Sequence, residues 1–104
     1  MARIDAADLL PNDRVRQMAL DGEMTQIHRG NAHADPGDTF EIDGTTFEVT
    51  DVDERTLGDV TDEDARAEGS EDLEAYRERM QRAHDGFEWN EDATAVRHRF
   101  EPRE

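Results

Sequence analysis

DTFEIDGTTFEVTDV, residues 38–52, is the stretch on which the fold turns. Asp43-Gly44 is a strong two-residue hairpin signal, because the favoured mirror-image turn needs positive φ at both central positions. A turn there sets Ile42 opposite Thr45 and Phe40 opposite Phe47. Phe40, Ile42, Phe47 and Val49 then share one face of the ribbon, and Glu41, Thr46 and Glu48 the other. Turn chemistry and binary pattern agree, so the stretch reads as an antiparallel hairpin with one dry face. Val52 breaks the alternation, which predicts a bulge or a strand end near Asp51.

Outward from the hairpin, local signals order the rest. Asn12 is placed to cap a helix over 13–21, with Val15, Met18 and Leu20 turned inward and Gly22 ending it. TQIHR (25–29) is extended, and Pro36-Gly37 turns the following loop. The first ten residues, MARIDAADLL, are too short to classify. Beyond the hairpin, Thr61 caps a short helix with Asp64 in the capping-box position and Gly69 as terminator. Ser70 caps a second helix, EDLEAYRERMQRAHDG (71–86). Its stripe of Leu73, Tyr76, Met80 and Ala83 packs on the sheet, and Gly86 closes it. ATAVRHRFE (93–101) is a strand with Val96, His98 and Phe100 on one face and Ala95, Arg97 and Arg99 on the other. At 104 residues the chain is long enough for one modest core. The order of elements predicts a single α+β domain over 1–104, with a strongly curled, mostly antiparallel sheet and two to three flanking helices.

Composition narrows the function. Asp and Glu number 28 against 12 basic residues, all of them arginine, for a net charge of −16. The acids are spread along the chain and interleaved with periodic patterns, unlike the composition of a disordered tail. This predicts a salt-adapted protein, because in molar salt a Debye length of ~3 Å screens the repulsion between acids. Such a charge argues against non-specific wrapping of DNA, which depends on basic residues releasing counterions. It leaves room for a small arginine-lined site for a nucleotide or an RNA end. The absence of cysteine excludes disulfides, zinc–thiolate sites and thiol nucleophiles. No apolar run approaches the ~20 residues that span a bilayer, and no signal segment follows Met1, so a cytoplasmic monomer without a membrane role is expected.

Within 25–29, Arg29 offers a planar fork for phosphate or a base edge, while Thr25 and Gln26 offer neutral donors and acceptors. His28 or Trp89 is suited to stacking on a base, although packing at one end of the barrel also accounts for Trp89. Strand alternation parts Gln26 and His28 from Thr25, Ile27 and Arg29, so one ligand meets only half of the set. Glu68, near a helix C-terminus where its charge opposes the dipole, reads as a cleft acid or as one more acid of an acidic protein. Thr25, His28 and Glu68 also form a conceivable nucleophile, base and orienting acid for amide hydrolysis, with Arg29 as electrophile. Arg97 and Arg99 read as a basic wall or as partners of neighbouring acids. Of His28, His33, His84 and His98, His28 and His33 stand five apart across a strand end and no other pair has characteristic ligand spacing, so neither metal nor cofactor is expected. His98, between two apolar neighbours, reads as a hydrogen-bonded core histidine.

Taken in order, GEMTQIHR (22–29), PGD (36–38), LGDVTDEDARAEG (57–69), FEW (87–89) and VRHRFE (96–101) resemble the ASCH domain, a PUA-like β-barrel, across most of the chain. The acidic composition suggests a haloarchaeal-type member. The resemblance implies a cleft for RNA or a nucleotide-like ligand beside the 25–29 strand, with Thr25, Gln26, His28, Arg29 and Glu68 as ligand-binding residues. One branch of the family removes the acetyl group of N4-acetylcytidine, using a lysine and a threonine on the glycine-led strand and a glutamate on the next helix. On this sequence the glutamate falls on Glu68, the one catalytic position that carries over, and the strand arginine on Arg29. The lysine position falls on Met24 and the threonine position on Ile27, and the chain has no lysine to offer at any register. The resemblance therefore implies a binding module, with a small amidohydrolase as the alternative.

Overall fold

The computed structural model describes residues 2–10, 12–83 and 88–103. Its elements are α1 (Ala6–Leu9), α2 (Asp13–Leu20), β1 (Gln26–Arg29), β2 (Thr39–Ile42), β3 (Thr45–Thr56), a 3-10 turn at Leu57–Asp59, α3 (Asp62–Ala67), α4 (Leu73–Ala83) and β4 (Thr94–Pro102). The sheet order is β1-β4-β3-β2, with every neighbouring pair antiparallel. The architecture is α+β, a curled half-barrel with helices on both sides. Four α-helices flank it among the described residues, where two to three were expected. The addition is α1, a single turn capped by the Asp5 carboxylate, which accepts from the Ala7 amide.

The hairpin forms in the register its turn demands. Asp43 and Gly44 take φ of 47° and 86°, and Phe40 stands opposite Phe47. β3 does not end at Asp51. Its ladder with β4 slips instead between Val49, opposite Phe100, and Asp51, opposite Arg99. One extra residue reverses the facing of everything beyond it, since side chains alternate with period two. Phe47 and Val49 face the same side as Phe100, whereas Asp53 and Arg55 face the side of Arg97.

The first side is dry. Phe40 and Phe47 stack at 5.3 Å, and Phe100 meets them edge-on at 5.6 and 6.0 Å, geometries that suit the ring quadrupoles. Leu9, Leu10, Ala19, Met24 and Ile27 complete this core. Val15, Met18 and Leu20 of α2 pack against it half-buried, and Ala19 joins them as the fully buried position of that helix. Asn12 caps α2 by accepting from the Val15 amide, and Gly22 at φ 79° ends it.

The second side is covered by α3 and α4. Thr61 and Asp64 form the expected capping box. Gly69, at φ 85°, closes α3 by donating to the Arg66 carbonyl, while Ser70 donates to that of Ala65. These two bonds are the Schellman pattern. They commit the Ser70 backbone to the end of α3, so Ser70 does not cap α4. Helix α4 begins at Leu73, with the Asp72 carboxylate accepting from the Ala75 amide at 2.8 Å. Tyr76 is buried beside Val60 and Ala65, with Leu73 and Met80 half-buried around them. The Ala83 side chain and Gly86 lie outside the described residues. No helix among those described is long and apolar enough to cross a membrane.

Candidate functional site

β1 is an edge strand bonded only to β4. Its alternation sends Gln26 and His28 to the side under α3, and Ile27 and Arg29 to the dry side. Both Gln26 and His28 are buried, and both are polar, so each must find partners or forfeit its hydrogen bonds with water. The partners come from α3. Glu68 occupies its C-cap, and an isolated bridge between Met24 and Glu68 pins the end of that helix to the chain just before β1.

The Glu68 carboxylate is 1% exposed and is surrounded by donors. The His28 amide reaches Oε1 at 3.1 Å and the Tyr76 hydroxyl reaches the same oxygen at 3.2 Å. His28 Nδ1 lies 2.6 Å from Oε2, and Gln26 Nε2 lies 3.3 Å from it. Gln26 also donates to Asp64 Oδ1 at 3.0 Å, so one amide bridges two acids spaced one helical turn apart. Burial and the neighbouring Glu68 push the Tyr76 hydroxyl far above its usual value, keeping it a donor.

Asp64 is the second hub. Its Oδ1 accepts from Arg97 at 3.2 Å and its Oδ2 from Arg55 at 3.1 Å. The Thr61 amide and hydroxyl complete its shell. Burial would raise its pKa, but hydrogen bonds from Gln26, Thr61 and Arg55 outweigh that and hold it well below the carboxylate range. Arg97 in turn grips Asp53 with Nε at 3.1 Å and Nη2 at 2.9 Å. Its pKa rises because Asp53 and Asp64 together overcome the cost of burial. The result is a continuous polar layer from Tyr76 to Asp53, lying where a sheet and a helix ordinarily share an apolar seam.

One atom of the layer is left over. With Nδ1–H directed to Glu68, the Nε2 of His28 is buried and has no hydrogen-bond partner among the described residues. A carboxylate-oriented imidazole with its second nitrogen unengaged is the arrangement of a general base or of a hydrogen-bonding group awaiting a partner. The described residues contain no group of three metal-ligating side chains, and His84 lies outside them.

Of the residues singled out in the sequence, Gln26, His28 and Glu68 meet in this layer. Thr25 is exposed at the start of β1, with its amide on the Ala67 carbonyl. Arg29 reaches the other way, donating to the Leu9 and Asp8 carbonyls at 2.8 and 3.3 Å, where a cation suits the C-terminus of α1. Arg29 and Glu68 thus stand on opposite faces of β1. Trp89 lies perpendicular to Tyr76 at 6.3 Å, with Arg77 over its ring at 4.9 Å. His98 is fully buried on the dry side, and its Nε2 accepts from the His33 amide at 3.0 Å. Sequence reasoning missed Asp64, Arg55 and Tyr76 as site residues. Asp64 had been accounted for as a cap and Tyr76 as a core position. The overlooked signal was that Gln26 and His28 place two polar groups on one face of a short strand.

No protein-family model matches the chain, and no curated protein matches it in sequence. Among solved structures it is similar to an ASCH domain from Lactobacillus crispatus, with a TM-score of 0.64 at 22% identity over 97% of this chain and 78% of that one. It is also similar to a DUF984 protein from Enterococcus faecalis, with a TM-score of 0.66 at 18% identity over 98% and 75%. At these identities the likeness is one of fold: the curled antiparallel half-barrel described above has the PUA-like architecture of an ASCH domain.

Proposed function

We propose that the protein is a salt-adapted ASCH-family module that binds a nucleobase-bearing ligand, an RNA or a nucleotide, at the polar layer between β1 and α3. The observation that carries this reading is the unpartnered Nε2 of His28, fixed by Glu68 beside the Gln26 amide. A base edge offers the in-plane donors and acceptors that such a set would complete. The fold likeness to an ASCH domain supports it, and the exposed Thr25 at the start of β1 marks the side from which a ligand would enter.

Titration with short RNAs and nucleotides in molar KCl, followed by amide NMR, tests the proposal. Shifts centred on Gln26, His28 and Glu68 are expected. Shifts that spare both 22–30 and 64–68 would refute it. The 2.6 Å His28–Glu68 contact favours one second reading, a small amidohydrolase in which Nε2 is the base. Against it stand Thr25 and Arg29, which do not share the layer with His28, and the Met24 thioether where the enzymatic branch uses lysine. Release of cytidine from N4-acetylcytidine, abolished in Glu68→Gln, would replace binding by hydrolysis.

A further inference from the structure

A groove of about 520 Å³ runs between α2 and the junction of α3 with α4, and it shares no lining residue with the polar layer. It is lined by Arg14 and Met18 of α2, Arg66 of α3, and Glu23, Gly69, Ser70 and Glu71. Gly69 lacks a side chain, and the methyl group of Met18 occupies the space one would fill.

Most of the arginines in this molecule are engaged. Arg3, Arg16, Arg55, Arg97 and Arg103 are paired with carboxylates. Arg29 is bonded to backbone carbonyls, and Arg77 and Arg79 lie over aromatic rings. Among the described residues Arg14, Arg66, Arg82 and Arg99 do none of these, although the chain carries 28 acids to choose from, and two of the four, Arg14 and Arg66, line the same groove. Both are exposed. Two guanidinium groups facing one groove, each without a carboxylate, leave two positive forks open to an anion.

The geometry points to this groove as a binding site for a phosphomonoester carrying a hydroxylated ring, either a sugar phosphate or a nucleotide. A carboxylate has one charge and fills one fork. A phosphomonoester brings up to two charges and three terminal oxygens, enough for both arginines and the Ser70 hydroxyl. The carboxylates of Glu23 and Glu71 accept from ring hydroxyls, and Met18 offers the ligand an apolar contact. The volume is within the range of small-molecule sites. This site is separate from the proposed base-binding layer, and either can fail alone.

The test is amide NMR titration of the intact chain with AMP, ribose phosphate and adenosine. Saturable shifts of the Gly69 and Ser70 amides are expected with the phosphorylated compounds and not with adenosine. Arg14→Ala and Arg66→Ala are expected to weaken binding about tenfold each, and both chains fold because neither side chain is buried. Tighter binding of AMP than of ribose phosphate identifies the nucleotide as the source of the phosphate, and equal binding the sugar phosphate. The inference is overturned if the amides of 69 and 70 do not move, if adenosine moves them equally, or if the double variant binds AMP undiminished. Shifts at Gln26 and His28 in the same titration report on the other site and leave this one to be judged on its own residues.

Discussion

On one face of the sheet Phe40, Phe47 and Phe100 meet ring to ring. On the other, Gln26, His28, Asp64, Glu68 and Arg97 meet donor to acceptor. The strands and the depth of burial are shared, yet the two faces fail differently. Ring contacts are many, weak and tolerant of direction, so a core of roughly the right volume survives conservative change. A buried hydrogen-bonded layer is directional, and each lost partner strands those it served.

Truncation is the coarsest way to probe this contrast, and both faces should suffer. Glu68→Ala strands four donor groups at once and is expected to cost about 3–5 kcal/mol in chemical denaturation. Phe47→Ala is expected to cost a similar ~3–5 kcal/mol through cavity formation. Against a total of roughly 5–15 kcal/mol for a domain of this kind, either variant sits near the edge of folding.

Conservative swaps should separate the faces. Glu68→Gln keeps the shape but points an amide donor at other donors, for an expected loss of about 2–3 kcal/mol. Phe47→Leu should lose only about 1 kcal/mol. Equal midpoint shifts for the two variants would break the comparison.

Acid offers a finer probe. Because Asp64 titrates well below its ordinary value in the fold, the stability it contributes is complete above the unfolded value of about 3.9 and drains away as pH falls below it. Asp64→Asn should therefore show a shallower acid limb in unfolding measurements between about pH 4 and 2. An unchanged limb would mean that the layer does not govern acid stability.

The smallest effect concerns the polar exception on the dry face. Burial, opposed by nearby backbone hydrogen bonds, lowers the His98 pKa, and the charges of His33 and Arg29 act in the same direction as burial. The fold thus prefers the neutral ring, which accepts the His33 amide. Its contribution is whole above the unfolded value of about 6.5 and declines as pH drops below that. Ring signals of His98 in an NMR titration should place its midpoint below the value of about 6.5 of an unperturbed histidine.

Legibility in the sequence follows the range of the interaction. The Asp43-Gly44 turn, the Asn12 cap, the Thr61–Asp64 box and the glycine stops at 22 and 69 act over a few residues, so they could be read directly. The start of α4 was misread because Ser70, a good cap by type, is already held by the end of α3. α1 offered only one turn. The polar layer was half visible: Gln26, His28 and Glu68 stood out as chemistry. Their meeting depends on hydrogen bonds between residues about forty positions apart, and no local pattern announces such a pairing. Arg55 was hidden for a related reason, since its direction is set only after the ladder slips at Val49.

That slip makes Thr50 the residue that the ladder between β3 and β4 skips. Thr50 is exposed and could be exchanged for many residues at little cost. Deleting it would close the bulge and leave Asp51 opposite Arg99, Val52 opposite His98 and Asp53 opposite Arg97, so every residue beyond it would keep its side. A lineage carrying this half-barrel can drift freely in letters at that spot and can even lose one, because the facing beyond it is held by the pairing with β4.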